Sequence, residues 1–175
     1  MLSGMNAQTD RHTTDTLEAA LKWIVGILET HRVPFQITGG FAAHIYGSGR
    51  PVNDIDIDVP DDKMELLLPD IAPYVTSGPA RYVDERWDTK LITVVYHGQD
   101  LDICGADTMR IFDDATRRWF DMPSHLDTAR PQEVFGIRVP VIDPAELVAY
   151  KRLLIGDHQK VDIAAVQRYL AKNRV

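Results

Sequence analysis

Residues 54–58 alternate acid and isoleucine, and this is the most restrictive pattern in the chain: Asp54, Ile55, Asp56, Ile57, Asp58. In a β-strand, residues two apart face the same side, so the pattern predicts a strand with one buried isoleucine face and one acidic face. Asp54 and Asp56 would then lie roughly 6–7 Å apart along the backbone. Two carboxylates this close repel each other. A divalent cation relieves that repulsion, and Mg²⁺ typically takes one or two carboxylates together with substrate phosphates.

Two glycines precede the acids, at the end of a short apolar run. Gly39 and Gly40 lie where a strand that begins at Phe35 is predicted to give way to a short helix over 41–46. Glycine lets a ligand approach the backbone closely, and the free amides of a helix N-terminus bind phosphate. Each feature alone is common for structural reasons. Together, residues 37–58 predict a phosphate-binding turn beside a pair of metal-binding carboxylates.

The order of these elements resembles the nucleotidyltransferase superfamily, which shares the fold of DNA polymerase beta. Its motif is a hydrophobic residue, Gly, then Gly or Ser, followed after a short helix by Asp-x-Asp on a strand, with a third acid on a later strand. Residues 37–58 look like the variant with two glycines and an arginine before the acids. That variant occurs in minimal bacterial nucleotidyltransferases, abortive-infection toxin enzymes and some aminoglycoside adenylyltransferases. The chain departs from the pattern at Gly40, where many members have serine, and at Val52, where related toxins often carry threonine.

The third acid of the superfamily falls on the predicted strand 101–104. Asp102 is flanked there by apolar residues, and a carboxylate in that setting is costly without a partner. Asp100 is the alternative, but it is predicted to lie in a hairpin turn over 97–100. One interpretation gives Asp102 no functional role and places it as an ordinary acid on an exposed sheet face. The resemblance implies instead that Asp102 completes the metal site and acts as general base on the acceptor hydroxyl.

Three cationic residues are candidates for nucleotide binding. Arg50 lies in the turn just before the acids, and arginine binds phosphate bidentately. Lys151 and Lys160 lie in a C-terminal segment that resembles one found in small nucleotidyltransferases, in which a lysine on one helix is followed by Lys and Asp at the start of the last helix. Asp162 matches the place of that Asp. This segment predicts a basic wall facing the acidic one; the alternative is a helix surface with scattered lysines.

Three further residues are interpreted as structural. His44 lies on the short helix after the glycines, and a lone histidine is more often structural than catalytic. Asp58 continues the alternation but meets Pro60, which ends the strand, so a strand-end acid is favoured over a ligand. Cys104 lies in an apolar strand and is predicted to be a buried, inert thiol.

Length and composition limit the class of protein. The chain has 175 residues, 45% of them hydrophobic and 26% charged, which is typical of one globular domain. Its formal net charge of −7 argues against broad nucleic-acid binding, although one RNA end could still dock at a local basic patch. There is no apolar run of about 20 residues for a membrane span, and no signal-peptide core. The single cysteine suits a reducing cytosol, so we expect a cytoplasmic protein.

The predicted fold is α/β (α+β), with a small mixed β-sheet of the nucleotidyltransferase type, flanking helices and a C-terminal helical pair. We predict a single domain over 1–175, divided into a catalytic core at 14–106 and a C-terminal helical extension at 107–175. The remaining local predictions begin with a polar, frayed segment over 1–13. Helices are predicted from Thr14 or Asp15 to His31, over 64–71 with a cap at Asp61 or Asp62, and over 107–120. Strands are predicted over 81–87 and 91–96, joined by a turn at 88–90, and a loop is predicted at 76–79.

The resemblance implies transfer of a nucleoside monophosphate from an NTP to a hydroxyl, with release of pyrophosphate. Mg²⁺ or Mn²⁺ would be the cofactor and the NTP the co-substrate. Three classes of acceptor stay open: RNA, a protein side chain, or a small molecule such as an aminoglycoside, whose cationic rings an acidic cleft would suit. The alternative is a catalytically degenerate module that binds nucleotide or interacts with an antitoxin partner.

Overall fold

One mixed β-sheet organises the chain. The computed structural model describes the backbone of residues 3–173 and the side chains of residues 14–173. The strands are β1 (Gln36–Ile37), β2 (Asp54–Val59), β3 (Val75–Val83), β4 (Trp87–Tyr96), β5 (Gln99–Gly105), β6 (Arg110–Asp113), β7 (Arg118–Asp121), β8 (Arg130–Val134) and β9 (Ile137–Val141). Their order is β7-β6-β4-β5-β2-β1-β9-β8, with β3 paired to β4. The β2–β5 and β1–β9 pairs are parallel, and the other pairs are antiparallel.

Helices complete the fold: α1 (Ser3–Thr30), α2 (Gly39–Ile45), α3 (Leu68–Ile71), α4 (Pro144–Lys151) and α5 (Asp157–Lys172). Short 3₁₀ turns lie at Met64–Leu67, Ala72–Tyr74 and Leu126–Thr128. This arrangement confirms the predicted α/β class with a mixed sheet and a C-terminal helical pair. None of the described helices is both long and apolar enough to cross a membrane.

The predicted alternation along β2 is confirmed. Ile55 and Ile57 are fully buried, while Asp54 and Asp56 keep partial exposure on the opposite face. The apolar stripe of α1 is buried in the same core, through Leu17, Leu21, Ile24, Val25 and Leu28. Burial of an amphipathic stripe stabilises a helix of this kind more than propensity does. The isoleucine face of β2 therefore does the packing, which leaves the acidic face available for chemistry.

The C-terminal helical pair closes the fold beside the glycine turn. Asp143 caps α4 by accepting a hydrogen bond from the Ala145 amide at 2.8 Å, and Pro144 occupies the first turn. The two helices α4 and α5 pack on each other, and both contact α2. The short helix α2, which begins at Gly39 and not at the predicted residue 41, is thus packed against the C-terminal helical pair.

The helix predicted over 107–120 is wrong. This stretch forms β6 and β7, an antiparallel hairpin in which Ile111 pairs with Phe120. Asp113 fixes the turn by accepting hydrogen bonds from the Ala115 amide and from the amide and hydroxyl of Thr116. The first part of the predicted C-terminal extension therefore contributes strands β6–β9, and only its last part is helical.

Other predicted boundaries are also wrong. The turn between β3 and β4 lies at residues 84–86 rather than 88–90, because Asp84 accepts the amides of Arg86 and Trp87 at 2.7 Å each. The stretch 76–79 belongs to β3, and residues 64–71 form a 3₁₀ turn followed by one α-helical turn. The N-terminal helix begins at Ser3, so neither Thr14 nor Asp15 caps it and the stretch predicted to be frayed is helical from Ser3; Met1 and Leu2 lie outside the described residues.

The predicted cap of the 64–71 segment is wrong as well. Lys63 occupies its N-cap position and makes no side-chain cap hydrogen bond. Asp61 instead accepts hydrogen bonds from the Asp107 amide and the Thr108 hydroxyl, at 3.0 and 2.6 Å.

Candidate active site

The register between β2 and β5 brings the predicted acids together. Asp56 lies directly beside Asp102, and Asp54 beside Asp100. Residues opposite each other in a sheet project from the same face, so all four share the acidic face. Asp54, Asp56 and Asp102 line one cavity, whereas Asp100 is exposed and does not line it. Asp100 lies in β5 and not in the predicted turn.

The cavity has a volume of about 590 Å³ and an acidic lining. That volume lies within the usual range of small-molecule sites. Seven carboxylates line it: Asp54, Asp56, Asp58, Asp84, Asp102, Asp121 and Glu146. Among the described residues that line it, His125 is the one basic side chain, and none is Lys or Arg. An apolar part is formed by residues that include Trp87, Leu91, Met109, Ile111, Met122 and Ile142.

Repulsion among the acids is concentrated on Asp56. Burial raises the pKa of Asp56 to about 7, with further contributions from the neighbouring charges of Asp54, Asp102 and Asp58. Lys151 acts in the opposite direction. Burial also raises the pKa of Asp102, although a hydrogen bond with Thr93 opposes this. The cavity therefore holds carboxylates that favour protonation or a bound cation.

Gly39 and Gly40 differ in the space around them. Gly39 has φ +66°, and a β-carbon there would overlap the Asp56 carboxylate. A β-carbon on Gly40 would meet nothing within 4 Å. The Gly39 amide donates a hydrogen bond to the Tyr150 hydroxyl oxygen at 2.9 Å. Glycine is thus required at position 39 both by the backbone conformation and by the close approach of Asp56.

The donor set fits a hard divalent cation. Asp54, Asp56 and Asp102 offer only oxygen ligands, and a cation would remove the repulsion that raises the pKa of Asp56. Within the described residues, no group of three or more His, Cys, Asp or Glu has the geometry of a complete metal site. Mg²⁺ is commonly held by one or two carboxylates plus substrate phosphates, so a site completed by the nucleotide is consistent with this arrangement.

The predicted basic residues Arg50 and Lys151 are engaged elsewhere. Both bind the fully buried Asp162, Arg50 Nη1 at 2.6 Å and Lys151 Nζ at 3.0 Å. Ser48 donates a third hydrogen bond to Asp162 at 2.7 Å. We call Ser48, Arg50, Lys151 and Asp162 the Asp162 cluster. No lysine or arginine lines the cavity among the described residues, so the predicted basic wall is not part of this lining and stays a prediction.

Lys160 and His44 also lie away from the cavity lining. Lys160 is exposed and pairs with Asp157 at 2.9 Å. The His44 ring lies 3.2 Å from the Arg50 carbonyl oxygen through Nδ1. Neither side chain lines the cavity with Asp54, Asp56 and Asp102.

Asp58 and Cys104 contribute to the cavity lining. Asp58 is buried and accepts hydrogen bonds from Gln36 at 3.1 Å and Ser124 at 2.6 Å. Burial raises its pKa to about 6. Cys104 is only partly buried in the cavity lining, so the predicted full burial is wrong. Desolvation still raises the pKa of its thiol, which favours the protonated form at neutral pH.

Several lining residues were missed from the sequence. Trp87, His125, Glu146 and Tyr150 come from a strand, a loop and α4, far from the motif in sequence. The Glu146 carboxylate accepts a hydrogen bond from Thr128 and lies 3.5 Å from His125. Their positions depend on how α4 and the β7–β8 connection close over the sheet. No local pattern signalled them.

Comparison with known proteins supports the fold. Neither protein-family models nor curated proteins match the sequence. Among solved structures, one similar protein comes from Thermotoga maritima, and its own assignment as a nucleotidyltransferase is provisional. It is 20% identical to this chain, with a TM-score of 0.60 over 99% of this chain and 97% of its own. The lincosamide antibiotic adenylyltransferase LnuA, with lincomycin bound, is 13% identical, with a TM-score of 0.56 over 85% of this chain and 95% of its own.

A third structure, ANT(2″)-Ia in complex with adenylyl-2″-tobramycin, is 13% identical, with a TM-score of 0.61 over 89% of this chain and 90% of its own. These alignments span most of each chain, so they concern the whole architecture and not the motif alone. The chain has the fold of the nucleotidyltransferases, as the motif at 37–58 predicted. At sequence identities of 13% and 20%, these comparisons show a shared fold and nothing finer.

Proposed function

We propose that this chain transfers a nucleoside monophosphate from an NTP to a hydroxyl group and releases pyrophosphate. The observation that supports this most directly is the side-by-side register of Asp56 and Asp102. Together with Asp54 they line one cavity beside Gly39. This placement matches the acid arrangement implied by the sequence resemblance, and the fold neighbours include adenylyltransferases.

The proposed ligands of Mg²⁺ or Mn²⁺ are Asp54 and Asp56, with Asp102 as the third carboxylate. When bound, the cation would neutralise triphosphate charge and orient the phosphates for in-line displacement. Asp102 would accept the proton of the acceptor hydroxyl. The hydroxyl oxygen then forms a bond to the α-phosphorus, the bond from that phosphorus to the bridging oxygen breaks, and pyrophosphate leaves.

The proposed nucleotide contacts are Gly39, Gly40, Arg50, Lys151 and Lys160. Open space around Gly40 suits close approach of a phosphate to the backbone. Arg50 uses Nη1 for Asp162, which leaves its other donors for a phosphate. Lys151 lies buried against Asp162, so it would act on the nucleotide through that cluster. Lys160 has the least support because its partner Asp157 is at the surface.

We propose a small, cationic, hydroxyl-bearing acceptor. Seven carboxylates and no lysine or arginine line the cavity among the described residues, which favours a cation and repels the phosphates of RNA. Two fold neighbours are seen with lincomycin and with adenylyl-2″-tobramycin. A toxin-like reaction on RNA or a protein side chain, with an antitoxin partner, is the second candidate from the sequence.

The test is transfer of label from α-labelled NTPs in the presence of Mg²⁺, using a panel of aminoglycosides, lincosamides and tRNA. If Asp102 acts mainly as the base, Asp102→Asn should slow single-turnover transfer by about 10²–10⁴-fold and keep most of the NTP affinity, because the amide cannot accept the proton. If it acts mainly as a metal ligand, NTP affinity should fall along with the rate. Asp100→Asn is the matched control on the same strand and should be nearly silent, because Asp100 lies outside the cavity lining.

Two results would contradict the proposal in different ways. If Asp100→Asn loses transfer and Asp102→Asn does not, then Asp100 and not Asp102 is the third carboxylate. NTP binding without transfer to any acceptor, including those in cell extract, would favour the degenerate nucleotide-binding module.

A further inference from the structure

We infer that Tyr150 is a positioning residue for the proposed metal and nucleotide site, acting on Asp56 through Gly39. This inference rests on the proposed function, because it assumes that Asp56 binds a divalent cation. Tyr150 lies on α4, more than 90 residues from β2 in sequence, and lines the cavity.

The first link is the bond between Tyr150 and the glycine turn. The Gly39 amide donates to the Tyr150 hydroxyl oxygen at 2.9 Å, and the Thr38 hydroxyl lies 3.5 Å from the same oxygen. Tyr150 is 8% exposed, whereas Gly39 is half-buried and lines the cavity, so water could replace the hydroxyl only from the cavity side. An amide that loses its partner in such a place bears part of the cost of desolvation. The hydroxyl therefore fixes the backbone of Gly39.

The second link is the contact between Gly39 and Asp56. With φ +66°, Gly39 presents its α-carbon to the Asp56 carboxylate so closely that a β-carbon would overlap the Oδ2 atom. The backbone of Thr38 is tied to the same residue, since its amide donates to the Asp56 carbonyl oxygen at 3.0 Å. The orientation of the Asp56 carboxylate thus depends on where Gly39 is held.

The third link fixes Tyr150 itself. The adjacent Lys151 is buried and bound by Asp162 and Gln159, each at 3.0 Å. Asp162 in turn binds Ser48 and Arg50, at the other end of the segment that begins with Gly39. Consecutive residues of α4 therefore hold both ends of the segment that leads into the acids. A ligand sphere held rigidly in this way binds a metal more tightly than a loose one.

The experiment compares Tyr150→Phe with Tyr46→Phe in the full chain. Phenylalanine keeps the ring and removes only the hydroxyl. Tyr46 is the matched control because it is also buried, and its hydroxyl donates to the Ile142 carbonyl oxygen at 2.7 Å without lining the cavity. Mn²⁺ affinity is measured by electron paramagnetic resonance with a non-hydrolysable NTP analogue and without acceptor, and amide exchange of Gly39 is followed by NMR.

Tyr150→Phe should weaken Mn²⁺ binding by about threefold to tenfold and speed exchange of the Gly39 amide by a similar factor, as expected for one net hydrogen bond. Tyr46→Phe should lower the melting temperature yet leave both readouts within about twofold of wild type. Wild-type Mn²⁺ affinity in Tyr150→Phe, or equal weakening in the two variants, would overturn the positioning role alone. A wild-type protein that binds no Mn²⁺ even with the NTP analogue present would overturn the proposed function and this inference together.

Discussion

Asp56 is the residue at which the demands of the fold and the proposed site conflict most strongly. Its flanking isoleucines are fully buried and hold it on the central strand, next to Asp102. Burial and three like charges raise its pKa to about 7. A fold selected for stability alone would not place acids in this way, and such conflicts concentrate at functional sites.

The raised pKa of Asp56 makes stability depend on pH in a specified direction. Between an unfolded pKa of 3.8 and a folded pKa of about 7, the folded protein binds the extra proton. The free energy of unfolding therefore falls as pH rises through this window. Asp56→Asn removes the ionisation, so at pH 8 it should be more stable than wild type, by at most about 4 kcal/mol.

Denaturant unfolding at pH 4, 6 and 8 in EDTA measures this effect. The two proteins should differ little at pH 4, where the wild-type acid is protonated in the folded state and only about half ionised in the unfolded state. Asp58 is common to both proteins, so the part of its raised pKa that comes from burial cancels in the comparison. A variant that is less stable than wild type at pH 8 would show that ionised Asp56 is stabilised by its surroundings.

The two glycines of the turn give a second prediction at the residue scale. Gly39→Ala should destabilise the protein by about 1–3 kcal/mol and weaken Mn²⁺ and NTP binding, because of the positive φ and the overlap with Asp56. Gly40→Ala is the matched control and should keep apo stability, since its β-carbon meets nothing within 4 Å. Thermal unfolding and metal titration of both variants are the measurements. Equal stability losses would contradict the asymmetry.

Among the elements, α4 and α5 are connected by the Asp162 cluster to the segment from Gly39 to Arg50, which precedes β2. Asp162 is fully buried between two cations, Arg50 and Lys151. Asp162→Asn keeps the size of the side chain but leaves these cations without a counter-charge, which should cost about 3–5 kcal/mol. Because the cluster holds the segment before β2, NTP affinity should also fall.

The control for this prediction is Asp157→Asn at the start of the same helix. Asp157 and its partner Lys160 are both exposed, so the change should have little effect on stability. Urea unfolding of both variants is the measurement. A neutral Asp162→Asn would mean that the cluster is dispensable for joining the helices to the segment.

Elements with a strong local signal could be predicted from sequence. The α1 stripe, the β2 alternation and the Asp143-Pro144 helix start follow from periodicity and capping, and the structure confirms them. The helix predicted over 107–120 is wrong because its apolar residues fit either period. The turn that Asp113 stabilises decided in favour of a hairpin.

The residues of the candidate site also fall into those that local sequence could predict and those that it could not. Asp54, Asp56 and Gly39 lie within one motif, and Asp102 could be added through the resemblance. Tyr150 and the pairing of Arg50 with Asp162 could not be predicted, because they depend on contacts across more than 100 residues. Nothing in the local sequence indicates that the cations before β2 and on α4 would be neutralised by a single buried acid.

At the scale of the whole molecule, negative charge is concentrated where the cavity opens. The chain carries a formal net charge of −7, and seven carboxylates line this one cavity. A triphosphate alone would be repelled there, whereas its complex with a divalent cation would not. The proposed function therefore predicts that NTP binds together with the metal and not as free NTP.

The corresponding prediction concerns the stability of the entire fold. ATP with Mg²⁺ at about 100 times its dissociation constant should raise the free energy of unfolding by roughly 2.7 kcal/mol, because only the folded chain binds it. ATP in EDTA should give almost no shift, since the carboxylates then repel the phosphates. Asp54→Ala with Asp56→Ala is the control: its isoleucine face still packs, so it should fold at least as stably as wild type without ligand and show no shift with Mg-ATP. The measurement is thermal unfolding of both proteins with and without ATP, in Mg²⁺ and in EDTA. Equal shifts in EDTA and in Mg²⁺ would refute the metal assignment.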